Sequence, residues 1–275
     1  MKWGGYTIVE VMIVLAVSSA MFLGAAALIS GKQGSAQFNT SVHNFTSQLN
    51  AVAQTVSDGD FSTTQNWQCN TTSATPPVVT PTTGGGTGYC MYIGQVMQLP
   101  TNSNSFVLTP LIGAQYVGGV APSANSVLSQ TIADSGAAAI TGSQQTNLIG
   151  NGVSVGCVLY TTTVKTPDAN QPCRTSGFST TDAIAFLFTN YGKTVTSATP
   201  TGTTSAQVNM VLPKSVNTAL NSSTYTSSGN YVSNPAGGVI VCLQSATTKQ
   251  FALVQFGGVQ SQFSAQSTIA SGSCS

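Results

Sequence analysis

The order of apolar and polar residues changes rhythm twice along this chain. From Tyr6 to Ile29 (YTIVEVMIVLAVSSAMFLGAAALI) the sequence is apolar all round a helical wheel, and Glu10 is its one charged residue. About 20 such residues suffice to cross a bilayer. The rhythm then becomes amphipathic. Phe38, Val42, Phe45, Leu49, Val52 and Val56 recur at spacings of four, three, four, three and four, which places them on one helical face. Asp58-Gly59 supplies a stop. The two segments predict one helix over residues 6–57, about 78 Å long at ~1.5 Å per residue. Gly24, Gly31 and Gly34 are its expected weak points, where it bends or melts locally, and the stretch holds no proline.

The third rhythm is that of strands. Residues 59–88 read as irregular, with Ser73–Gly88 (SATPPVVTPTTGGGTG) as an exposed Pro/Thr/Gly loop. Runs rich in β-branched and aromatic residues follow at Tyr89–Leu99, Ser105–Ile112, Val153–Lys165, Ala183–Thr189, Ala206–Leu212, Gly238–Ser245 and Gln250–Phe256. The last two predict a hairpin around Ala246-Thr247-Thr248-Lys249, and Lys214–Leu220 reads as a short helix. The fold class is α+β: a long N-terminal spine helix packed on a mainly antiparallel sheet. The chain divides into 1–5, an apolar helical half at 6–30, an amphipathic half at 31–58, and a β-rich globular region at 59–275.

Composition sharpens this picture. Only 5% of the 275 residues are charged and the net charge is +1, against a usual charged share of about 25%. No basic patch is visible, so nucleic acid is not an expected partner. Lys2 precedes the apolar run, which puts the N-terminus on the cytoplasmic side of the membrane and everything after Lys32 outside. All six cysteines lie in that outer region: Cys69, Cys90, Cys157, Cys173, Cys242 and Cys274. An even count there points to three disulfides, for which fifteen pairings exist. Sequence neighbours are favoured: Cys69–Cys90, Cys157–Cys173 and Cys242–Cys274. Each would close a loop of roughly 17–33 residues, worth about 3–4 kcal/mol in the chain-entropy account. A metal cluster would need CxxC spacing, which this sequence lacks, and more than its single histidine.

The residues for catalysis are sparse. His43 is the only histidine and falls in the amphipathic segment between Val42 and Phe45, as a polar-face residue. Without a nearby cysteine or helical aspartate it builds neither a triad nor a metal site. Gly192-Lys193-Thr194 lacks the leading glycine of a phosphate loop, whose place is taken by Leu187. Gly84-Gly85-Gly86-Thr87-Gly88 precedes a strand, not a helix. Asp58-Gly59-Asp60 lacks the remainder of a calcium loop. Asn39, Asn44, Asn70 and Asn221 begin N-x-S/T triplets of the kind that chance supplies in so Ser/Thr-rich a chain. The expectation is a protein that is not an enzyme and has no cofactor and no metal.

The N-terminus carries the one specific pattern. Met1-Lys2-Trp3-Gly4-Gly5 is followed by Tyr6-Thr7-Ile8-Val9-Glu10 and an uncharged helix. This order resembles the class III signal of type IV prepilins and pseudopilins. The resemblance implies cleavage after Gly5, methylation of the new Tyr6 amine, and Glu10 as the fifth mature residue. It also implies a pilin-like architecture. In a filament, the amine of one Tyr6 would meet the carboxylate of a neighbour's Glu10, fixing the axial register. Unpaired charges in an apolar core are expensive, so only the staggered arrangement is tolerated. The implied partners are copies of itself or other pilins through the N-terminal helix, a prepilin peptidase, a pilus or secretion assembly platform, and the membrane. The implied function is that of a structural subunit, its length favouring a minor one, held in the cytoplasmic membrane and then in an extracellular filament. Alternatives are a pseudopilin of a type II secretion or competence system, and a tip adhesin on a pilin-type anchor.

Overall fold

The computed structural model describes residues 7–58, 67–70, 78–81, 90–114, 138–139, 143–168, 171–189, 207–213, 230–258 and 264–274. The apolar and amphipathic segments form one unbroken helix, α1 (Ile8–Asp58). It runs through Gly24, Gly31 and Gly34, so none of these expected weak points breaks it. Two hydroxyls in its apolar half are satisfied inside the helix. Ser18 Oγ donates to the Val14 carbonyl at 2.6 Å and Ser19 Oγ to that of Leu15 at 2.8 Å, which removes free polar groups from an apolar surround.

Fourteen strands follow in the described residues: β1 (Trp67–Asn70), β2 (Val78–Pro81), β3 (Cys90–Gln98), β4 (Ser105–Ala114), β5 (Ala138–Ala139), β6 (Gln145–Leu148), β7 (Val153–Tyr160), β8 (Ser179–Thr180), β9 (Ala183–Thr189), β10 (Gln207–Pro213), β11 (Tyr231–Ser233), β12 (Val239–Ser245), β13 (Gln250–Phe256) and β14 (Gln266–Ser271). They make two large sheets and a small hairpin, where one sheet was expected. The first large sheet has the order β11-β10-β9-β3-β4-β5, with β6 on the other half of the β4 edge. The second has the order β14-β13-β12-β7-β8. Every pairing within them is antiparallel.

Two sequence expectations are corrected here. The stretch 59–88 is not irregular throughout, because β1 and β2 pair antiparallel, with Cys69 opposite Val79. The run Val153–Lys165 ends as a strand at Tyr160. Beyond it the Thr161 carbonyl accepts from Gly237 N–H at 3.0 Å, and the chain leaves the ladder. The β12–β13 hairpin turns at Ala246–Lys249 as its sequence predicts. Ser245 Oγ accepts from the N–H groups of Thr247 and Thr248 (3.4 and 3.3 Å), and Lys249 takes φ 50° to close the turn. The predicted helix at Lys214–Leu220 lies outside the described residues.

One core unites both sheets and the amphipathic half of α1. Phe38, Val42, Phe45, Leu49, Val52 and Val56 are all buried in it. They meet Phe106 from β4, Ile184 and Phe186 from β9, Val241 from β12, and Val254 and Phe256 from β13. Edge-to-face ring pairs tie the layers: Phe45 with Phe106 at 5.8 Å, and Phe186 with Phe256 at 5.3 Å. The second pair joins one sheet to the other. Polar ties set the helix register. Asn151 Nδ2 donates to Ser41 Oγ at 3.0 Å, and Asn50 Oδ1 accepts from Ala265 N–H at 2.9 Å. At Gly34 the tip of the β12–β13 hairpin comes so close that a Cβ would lie 2.9 Å from Thr248 Cγ2. Gly34 thus marks the point where α1 leaves the globular region.

Candidate functional site

The helix is divided sharply by what touches it. Its C-terminal half is clamped by both sheets, while residues 7–25 are exposed on every side. Ile8 is 80%, Leu15 62% and Phe22 75% exposed. Residues Ile8–Ala25 have a mean hydropathy of 2.2 over 18 residues and are long and apolar enough to cross a membrane. Such a surface loses about 25 cal/mol per Å² while it faces water.

Glu10 lies in the first turn of this exposed half. Its own N–H donates to Thr7, to the carbonyl at 3.0 Å and to Oγ1 at 3.3 Å. Thr7-Ile8-Val9-Glu10 has the residue order of a capping box, and Thr7 Oγ1 acts as the N-cap acceptor for the third helical N–H. A carboxylate in the first turn is also favoured by the positive end of the helix dipole. Thr-x-x-Glu before an apolar run is an ordinary helix-start signature, so Glu10 has a local role beside the intersubunit one that the prepilin resemblance implies. Gly5 and Tyr6, the expected cleavage and methylation residues, lie outside the described residues.

The cysteines divide differently. Cys157–Cys173 and Cys242–Cys274 are disulfides, with sequence separations of 16 and 32. The side chains of Cys69 and Cys90 lie outside the described residues. Cys157 and Cys242 face each other in the β7–β12 ladder. A bulge at Gly156 re-aims β7 there, and the missing side chain matters: a Cβ on Gly156 would sit 2.3 Å from Cys274 Cβ and 2.6 Å from its Sγ. The sulfurs of Cys173, Cys242 and Cys274 lie within 4.8 Å of one another, but all are committed to disulfides. Nothing in the spacing of these cysteines announced this convergence, because it depends on strand register.

Among the described residues an open cavity of about 510 Å³ lies beside the β12–β13 turn, lined by Ser154, Gln244, Ser245, Lys249, Gly272 and Ser273 among others. It presents hydroxyls, one amide and one ammonium, with no carboxylate or imidazole beside them. Gln244 Oε1 is already engaged by Cys274 N–H at 3.3 Å. His43 is exposed on α1. Burial pushes the phenol of Tyr92, which packs against the core, well above its ordinary ionisation range. Gly84–Gly88, Gly192–Thr194, Gly59, Asp60 and Asn221 lie outside the described residues. Comparison with protein-family models, with curated proteins and with solved structures found no match.

Proposed function

We propose that this chain is a structural subunit of a type IV pilus or a related membrane-assembled filament. On this reading it is stored in the bilayer by the apolar half of α1, cleaved after Gly5, and polymerised through the same half-helix. The observation that carries it is the division of α1: one half locked into two sheets, the other presenting Ile8–Ala25 to no partner among the described residues. The residues Gly5-Tyr6 and Glu10 at the head of that helix supply the processing and register chemistry. Partners would be other subunits, a prepilin peptidase and an assembly platform, with the globular region outside the membrane and carrying no catalytic role.

The place of Glu10 in the first turn, in the residue order of a capping box, supports a second reading, in which it only starts the helix of an ordinary membrane anchor. Two substitutions separate them. Glu10→Gln keeps a residue that serves at the third helical position of a capping box but removes the charge. Glu10→Val removes both. The filament reading expects both variants to insert in the membrane and fold, and both to be depleted from sheared filaments. If Glu10→Gln incorporates normally and only Glu10→Val is lost, the local capping role is sufficient and the charge has no intersubunit partner.

A further inference from the structure

Two disulfides lie against each other on the outer face of the second sheet, and they differ in access. Cys242 and Cys274 are 0% and 3% exposed, enclosed by Phe251, Leu253 and Ala270. Cys157 and Cys173 are half-buried. Cys173 is bonded to Cys157, yet its sulfur also lies within 4.8 Å of both sulfurs of the neighbouring disulfide. Thiol–disulfide exchange needs a thiolate, a disulfide sulfur in reach, and access for the first attack. The outer disulfide has the access, and Cys173 has the reach.

We infer that Cys157–Cys173 is the access point through which an external dithiol acts on the buried Cys242–Cys274 disulfide, with Cys173 as the relay sulfur. A thiolate of the dithiol attacks Cys157 Sγ, forms a mixed disulfide and expels the Cys173 thiolate. That thiolate attacks Cys242 Sγ. A Cys173–Cys242 bond forms, the Cys242–Cys274 bond breaks, and the Cys274 thiolate takes a proton from water. The second thiol of the reagent then attacks the mixed disulfide and leaves as a cyclic disulfide, returning Cys157 as a thiol. The dithiol has given up two electrons and two protons. The protein has gained thiols at Cys157 and Cys274 and keeps one non-native bond. The exchange belongs to the globular region and does not depend on the filament reading.

The test is limited reduction of the full-length protein in detergent with dithiothreitol, followed by acid quenching, alkylation and peptide mapping without further reduction. The expected product carries a Cys173–Cys242 bond with alkyl groups on Cys157 and Cys274. If partial reduction opens Cys157–Cys173 alone, leaves Cys242–Cys274 intact and never yields a bond between Cys173 and Cys242 or Cys274, the relay is overturned. The variant Cys274→Ser tests the same step without a reductant, because it leaves the Cys242 thiol beside Cys173. Exchange predicts that alkylation then finds free thiol at Cys157 as well as at Cys242. A thiol confined to Cys242 contradicts the relay. Should that variant fail to fold, the limited reduction of the unmutated protein still decides.

Discussion

At the scale of single residues, Gly156 shows how one absent side chain fixes a covalent bond. The space its Cβ would fill belongs to Cys274, whose Cβ and Sγ lie 2.3 and 2.6 Å from that position. Backbone cannot yield easily there, because Gly156 sits in the bulge between Cys157 and Val155 in the ladder with β12. Gly156→Ala should therefore force Cys274 outward and impair its bond to Cys242. Overpacking of this kind costs about 1–3 kcal/mol, and the lost cross-link adds to that. The expected result is a melting temperature lower by several degrees and free thiol at Cys242 and Cys274 on titration. A melt like that of the unmutated protein, with no free thiol, would contradict the packing described.

At the scale of elements, α1 carries two kinds of phenylalanine. Phe45 is fully buried and stacks edge-on against Phe106, whereas Phe22 is 75% exposed. Phe45→Ala should destabilise the globular region by about 3–5 kcal/mol, and Phe45→Asp, with a charge in the core, should abolish cooperative unfolding. Phe22→Ala should leave that transition within about 0.5 kcal/mol, as surface changes do. Chemical denaturation in detergent compares the three. Equal effects of the two alanine variants would mean that the clamp does not end near Gly34.

The same element scale shows what was legible in the sequence. The stripe from Phe38 to Val56 predicted the buried face of α1 because a single helix face meets a single core. Strands β9 and β13 were legible to their boundaries, being dense in apolar residues and bounded by Asn, Gly or Lys. Strand β14 was not, because QSTIAS on the sheet edge is mostly exposed and lacks an apolar signal. The β1–β2 hairpin was hidden by the prolines around Val78-Val79, which are tolerated at strand ends and edges. The second sheet was invisible for a different reason: strand runs reveal which residues pair with some neighbour, not which layer the neighbour joins. For the candidate site, Glu10, the apolar run and the Thr-x-x-Glu order at the helix start are all legible in the sequence. The meeting of two disulfides was not legible, since it arises from the Cys242–Cys157 register.

At the scale of the whole molecule, the chain is a globular region joined to a free apolar rod at Gly34. A fragment of residues 33–275 keeps every helix residue in the core and sheds the exposed apolar half. It should be soluble and monomeric in oxidising buffer, with one cooperative thermal transition. Aggregation of the fragment despite formed disulfides would argue against the packing of α1 on the two sheets. Few charges decorate this molecule, with a net of +1, so on the proposed reading assembly rests on the apolar half-helix and on the pairing of Tyr6 and Glu10 between neighbours. That pairing exists only if Tyr6 carries a free amine. The mass of the mature N-terminal peptide, taken from the membrane-extracted protein, is therefore the most direct test of the filament proposal. The account predicts a peptide beginning at Tyr6 and carrying one N-methyl group. A peptide beginning at Met1, or at a cut beyond residue 20, would contradict it.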